Sequence, residues 1–171
     1  MAKNQIQKTM WWIIGPMAII GVVYGLIIWS RQPGGQEWPG QAHPILGVQH
    51  ISVGASHPAY NSNPPTSGWH YAQPANWGVY QTELPDEQVV HNLEHGGVWI
   101  SYKEIDDATK VALEKIGRAN SQIIVTPRRA NDAHIALASW GRLQKLEQFD
   151  ETAIMNFIKA NKNRSPEPFG P

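Results

Sequence analysis

Residues 85–102 read PDEQVVHNLEHGGVWISY, and the fold class follows from this stretch. Asp86 and Glu87 after Pro85 suit the opening of a helix, because carboxylates are favoured at the positive end of the helix dipole. Val89, Val90 and Leu93 carry the helix forward, and Gly96-Gly97 ends it, glycine being the residue that closes helices in a left-handed conformation. Val98-Trp99-Ile100-Ser101-Tyr102 then reads as a strand of β-branched and aromatic residues.

Working outward from there, Asp106–Ala119 places Ala108, Val111, Ala112 and Ile116 at helical spacing. Ile123-Ile124-Val125 reads as a buried strand ended by Pro127. A further strand covers Ala133–Trp140, a turn falls at Gly141, and a short strand follows at Leu143–Phe149. Asp150 caps a last helix, Glu151–Asn161, with Ile154, Phe157 and Ile158 facing inward. The tail Ser165-Pro166-Glu167-Pro168 cannot extend it. Upstream, Ile45–Val53 has the character of a short strand containing His50. This order of elements predicts an α+β fold, a small α/β sandwich with helices against one sheet.

The amino-terminal part is of another kind. Residues 11–29, WWIIGPMAIIGVVYGLIIW, are nineteen without a charge. As a helix they would be roughly 28 Å long, enough to cross the hydrocarbon core of a bilayer. Trp11, Trp12 and Trp29 flank the run as interfacial anchors do, and no small-residue cleavage site follows it. Lys3 and Lys8 precede it and only Arg31 follows closely, so the positive-inside bias leaves residues 1–10 in the cytoplasm. The expected plan is a single-pass cell-membrane protein with a transmembrane helix at 11–29 and a Gly/Pro-rich linker at 30–44. Residues 45–168 then form a periplasmic or extracellular domain. Gly21 and Gly25 would let another transmembrane helix approach closely.

The chain has no cysteine, which excludes thiolate metal sites and thiol nucleophiles. Residues 32–171 hold 11 Lys/Arg against 14 Asp/Glu, a formal net charge of −3. With no basic stripe and no aromatic-basic motif, nucleic-acid binding is excluded as an expectation.

Function concentrates in residues 57–97, where four of the seven histidines fall: His57, His70, His91 and His95. The turn-rich run Asn61-Ser62-Asn63-Pro64-Pro65-Thr66-Ser67-Gly68 reads as a rigid loop that presents His57 and His70. Its prolines lock φ, and its Asn and Ser side chains bond nearby backbone. Ser67 lacks the glycine and the strand-turn-helix setting of a nucleophile elbow. Trp69, Tyr71, Trp77 and Tyr80 either wall the site or form the core beneath the loop, the commoner fate of aromatics. His43 and His50 read as surface residues near the linker.

Three signatures carry a resemblance: Tyr60 through Gly68 with His70-Tyr71, then Trp77-Gly78-Val79-Tyr80, then His91-Asn92-Leu93-Glu94-His95-Gly96-Gly97-Val98. Weaker similarity runs through Trp140-Gly141-Arg142-Leu143 to Ser165-Pro166-Glu167-Pro168. On these motifs the chain resembles a prokaryotic family of membrane-anchored proteins of unknown function, with Trp69 where that family commonly has proline. The resemblance implies the architecture and brings no activity.

His91 and His95, four apart, share one helix face. Two imidazoles so placed can bind one ion, with His70 as third ligand and His57 as fourth. Nitrogen ligands suit Zn(II) or Cu(II) better than Cu(I). The first expectation is therefore a membrane-tethered extracytoplasmic protein with a copper or zinc site. The alternative is an accessory or binding subunit of a membrane complex, in which the histidines only anchor the loop. A third reading rests on the H-x-x-E-H pattern of His91-Asn92-Leu93-Glu94-His95, in which Glu94 would activate water in a metal-dependent hydrolase. Against it, Gly96-Gly97 truncates the helix and the domain is small, so the balance favours a role without catalysis.

Overall fold

The computed structural model describes residues 38–168. In chain order these form β1 (Gln41–Ala42), β2 (His50–Ile51), β3 (His70–Tyr71), β4 (Gly78–Val79), α1 (Asp86–Glu94) and β5 (Val98–Tyr102). They continue with α2 (Asp107–Ala119), β6 (Ile123–Pro127), β7 (Ile135–Ser139), β8 (Arg142–Leu146) and α3 (Glu151–Asn161). Six strands make one mixed sheet in the order β1-β8-β7-β5-β6-β4, while β2 and β3 pair separately. Strands β4, β6 and β5 are parallel; β7 runs antiparallel to β5, β8 to β7, and β1 to β8. The fold is α+β, as expected, with three helices among the described residues.

The helices are divided between the two faces of the sheet. Because side chains alternate along a strand, β5 sends Val98, Ile100 and Tyr102 to one face and Trp99 to the other. The first group joins Leu113, Ile116, Ile154, Phe157 and Ile158 from α2 and α3. Trp99 joins Val89 and Leu93 from α1, with Ile124, Ala136 and Ala138. Burial on both sides explains why β5, β6 and β7 read as continuous apolar runs. Each fully buried aliphatic side chain contributes about 1.5–3 kcal/mol. Asp106 and Asp150 cap α2 and α3 through carboxylates that accept from Thr109 N at 2.6 Å and Ala153 N at 2.9 Å.

Three expectations need correction. Val111, one of the apolar residues at helical spacing in α2, is exposed; the buried positions are Leu113, Ile116 and Gly117. Gly117 is needed there because a Cβ would press into Val125. The strand expected over Ile45–Val53 is only His50–Ile51. Finally, Trp38 to Ala42, placed in the linker, pack on the domain. Trp38 is covered by the guanidinium groups of Arg142 and Arg164 at 4.7 and 4.6 Å, and β1 pairs with β8. Among the described residues no helix is long and apolar enough to cross a membrane. The predicted span at 11–29, with Gly21 and Gly25, lies outside the described residues.

The end of α1 follows its glycines. His95 N and Gly96 N donate to His91 O and Leu93 O, and Gly96 takes φ +81°. Gly97 is pinned by space: a Cβ would meet the Trp77 ring and lie 2.9 Å from the Asn92 carbonyl oxygen. Gly97→Ala should therefore cost about 1–3 kcal/mol through overpacking, measured as a lower urea midpoint. A midpoint unchanged from wild type would show that Trp77 yields freely.

Candidate functional site

Helix α1 buries both of its sides. Val89 and Leu93 enter the core under Trp99, while His91, Glu94 and His95 are also buried, with relative exposures of 5, 3 and 5%. Polar groups are buried at this cost only when they are paired. Asn92 clamps the facing chain, its amide accepting from Ala75 N and donating to Ala75 O, both at 2.9 Å. This clamp lays residues 70–75 along α1.

The loop before β3 is fixed, as its composition predicts. Pro64 through Gly68 are buried, Asn61 donates to Pro44 O, Asn63 to Ala130 O, and Tyr60 Oη to Trp69 O. Gly68 takes φ +125°, and a Cβ there would lie 2.9 Å from the Tyr60 ring. From this turn His70 enters the interior with no exposed surface. Parallel pairing of β2 with β3 sets His50 opposite His70. His50 stays half exposed and stacks on His91 at 4.9 Å between ring centroids.

His50, His70, His91 and Glu94 each offer one ligand atom, and these four atoms lie within 4.8 Å of one another. Two tautomers follow from the surrounding backbone. His70 Nδ1 is 2.7 Å from Gly68 O, and His91 Nδ1 is 2.6 Å from Tyr71 O. A carbonyl only accepts, so both Nδ1 atoms carry hydrogen, and in the neutral rings both Nε2 atoms carry lone pairs. His70 Nε2 faces Glu94 Oε2 at 3.1 Å, itself 3.7 Å from His50 Nε2. Two acceptors at that distance need a positive charge between them or a proton on one. Backbone carbonyls that hold Nδ1–H and aim Nε2 inward are the support that metal-bound histidines normally have.

Of the expected ligands, His70 and His91 come together. His95 lies just outside the four, its Nε2 at 2.8 Å from His91 Nε2. His57 stands apart from the group: its ring meets Glu87 Oε1 at 3.3 Å and Pro58 O at 2.8 Å, beside Tyr60. His50, read as a surface residue, takes the place expected of His57. Glu94, considered only as a water-activating base, is among the possible ligands. Nothing local in the sequence marks His50; its place depends on pairing with a strand twenty residues away. The aromatic residues divide. Trp77 and Tyr80 pack on the core beside Trp99, whereas Tyr71 supplies its carbonyl to His91. Trp140 meets the His70 ring edge-on at 6.4 Å.

Burial pushes the His91 pKa from its ordinary 6.5 down to about 4; the bond to Tyr71 O opposes this, and the neighbouring His70, His95 and His50 reinforce it. His91 is therefore neutral at pH 7, and its Nε2 lone pair meets His95 Nε2 at 2.8 Å. In metal-free protein this neutral ring contributes stability that is full above pH 6.5. The contribution is lost as pH falls toward 4, because the unfolded chain takes the proton first. The loss should reach at most about 3 kcal/mol. Urea midpoints of chelator-treated protein between pH 7.5 and 4.5 measure it, with His91→Gln expected to flatten the slope. An equal slope in the variant would place the acid sensitivity elsewhere.

Comparison with known proteins adds a family. A family model described as a protein of unknown function (DUF3105) matches residues 52–170, a span that includes His70, His91 and Glu94 and begins just after His50. No curated protein and no solved structure matches the chain.

Proposed function

We propose that this chain, which belongs to the DUF3105 family, is a membrane-tethered extracytoplasmic protein that binds one zinc or copper(II) ion. The ion would sit among His50, His70, His91 and Glu94. The observation that carries this reading is the pair of imidazoles locked by backbone carbonyls, with His70 Nε2 against the buried Glu94 carboxylate and one ligand atom of His91 and one of His50 within 4.8 Å of both. Three nitrogens and one oxygen suit Zn(II) or Cu(II). Ligand atoms around tetrahedral zinc lie about 3.3 Å apart, given bonds of roughly 2.0–2.1 Å. The span of 4.8 Å must therefore contract, and the half-exposed His50 is the side chain with room to move. Its exposure also gives the ion a route in. Glu94 here has a ligand's role, in place of the water-activating role in the H-x-x-E-H pattern.

Full-length protein purified without chelator should carry close to one equivalent of zinc or copper by elemental analysis, or take up one equivalent of Zn(II) on titration. Protein that neither carries nor takes up either ion would favour the accessory-subunit reading. The tether rests on the uncharged run 11–29 and on Lys3 and Lys8 before it. In sealed right-side-out membrane vesicles, a carboxy-terminal tag should be open to protease. Protection of the tag would reverse the orientation.

A further inference from the structure

Residues 162–168 fold back over the carboxyl end of α1. Asn163 N donates to Gly96 O at 2.8 Å, and Glu167 N donates to Glu94 O at 3.3 Å. The second bond fastens Glu167 to the backbone of a candidate ligand. It brings Glu167 Oε2 to 3.8 Å from His95 Nδ1. That nitrogen is buried and has no hydrogen-bond partner, although the His95 side chain is 7% exposed.

The tautomer of His95 follows from its neighbour. His91 Nδ1 donates to Tyr71 O, so His91 Nε2 accepts; His95 Nε2, 2.8 Å away, must be the donor. In neutral His95 the hydrogen is then on Nε2, and a bare Nδ1 lone pair faces a carboxylate. This is the wrong tautomer for its surroundings on that side, since a buried acceptor is left unpaired. An ion on His91 Nε2 removes the acceptor that holds the His95 hydrogen. With hydrogen on Nδ1, His95 would donate to Glu167, and its Nε2 lone pair would face the ion.

We propose that Glu167 is a positioning residue that recruits His95 as an additional ligand when the ion binds. This rests on the metal-site reading above. In the exchange, His95 Nε2 gives its proton to water and Nδ1 takes one from water, so the ring stays neutral and no net proton is released. Glu167 is 63% exposed, so its side chain has the freedom to close the 3.8 Å gap to hydrogen-bond distance. The carboxy-terminal segment thereby becomes part of the metal site without touching the ion.

Nitrogen-15 spectra of the full-length chain, with and without Zn(II), test this directly. His95 should carry hydrogen on Nε2 in metal-free protein and on Nδ1 in the zinc form. Glu167→Ala should weaken Zn(II) binding about 10- to 100-fold, the usual effect of losing a ligand's outer hydrogen bond. Glu167→Gln, whose amide oxygen still accepts, should recover part of it. If wild type binds Zn(II) while His95 keeps hydrogen on Nε2, the role of Glu167 is refuted and the metal site stands. The same holds if both Glu167 variants bind as tightly as wild type. Wild-type protein that binds neither Zn(II) nor Cu(II) would remove both readings. The wild-type spectra need no variant, so a misfolded mutant leaves the test intact.

Discussion

Glu94→Gln is expected to lower Zn(II) affinity more than about 100-fold while leaving the metal-free protein at least as stable as wild type. The two halves have one cause. In metal-free protein His70 Nε2 and Glu94 Oε2 lie 3.1 Å apart with both groups buried, and a neutral imidazole and a carboxylate so placed are two facing acceptors. A glutamine amide in that place donates to Nε2 and removes the conflict between acceptors. It also removes the one negative charge that the four candidate ligands offer a divalent ion. Replacing one partner of a buried ion pair behaves oppositely, costing about 3–5 kcal/mol. Chemical denaturation with chelator present, beside a Zn(II) competition titration, reads both halves. A metal-free variant less stable by about 3 kcal/mol would show that His70 is protonated and paired with Glu94. The cluster would then be an ion-paired polar core.

Arg128→Met should destabilise the domain by about 3 kcal/mol or more. The Arg128 side chain is 8% exposed and makes a two-pronged contact with Asp86, at 2.8 Å from Nε and 2.6 Å from Nη2. Its Nη1 donates to Asn63 Oδ1 and Asn131 Oδ1, and its guanidinium lies over the Trp99 ring at 5.6 Å. One side chain thus joins the first turn of α1, the proline-rich loop and the core. Methionine keeps much of the apolar volume, so the loss isolates the polar contacts. Removing one side of a largely buried charged network typically costs about 3–5 kcal/mol. The lower figure applies here because Asp86 is partly open to solvent. A shift in urea midpoint worth less than about 1 kcal/mol would show that water replaces the guanidinium.

The residues that lie one turn apart on α1 are legible in the amino-acid sequence. The acidic opening, the apolar face at Val89 and Leu93 and the Gly96-Gly97 stop define a helix from local physics alone. So do the strand at Val98–Tyr102 and the capped helix at Glu151–Asn161, whose bounds match the sequence expectation. Helical spacing likewise determined that His91 and His95 share a face. The proline-rich loop announced its own rigidity through locked φ angles and side chains that bond backbone. These features depend on neighbours within a few positions, which is the range over which a sequence can be read.

Tertiary structure decided which histidines meet. His57 and His50 are both single histidines upstream of the loop, and no local property ranks one above the other. The parallel pairing of β2 with β3 places His50 against His70, while His57 turns to Glu87 on the outer side of α1. The carbonyls of Gly68 and Tyr71, which set the tautomers of His70 and His91, are backbone groups with no residue signature. The approach of Glu167 to His95 joins positions 72 residues apart. The sequence by itself determined the elements and one helix turn that carries two histidines on a shared face, because both arise from local periodicity. The composition of the cluster required the folded chain, because it depends on long-range pairings that only the complete set of buried contacts selects.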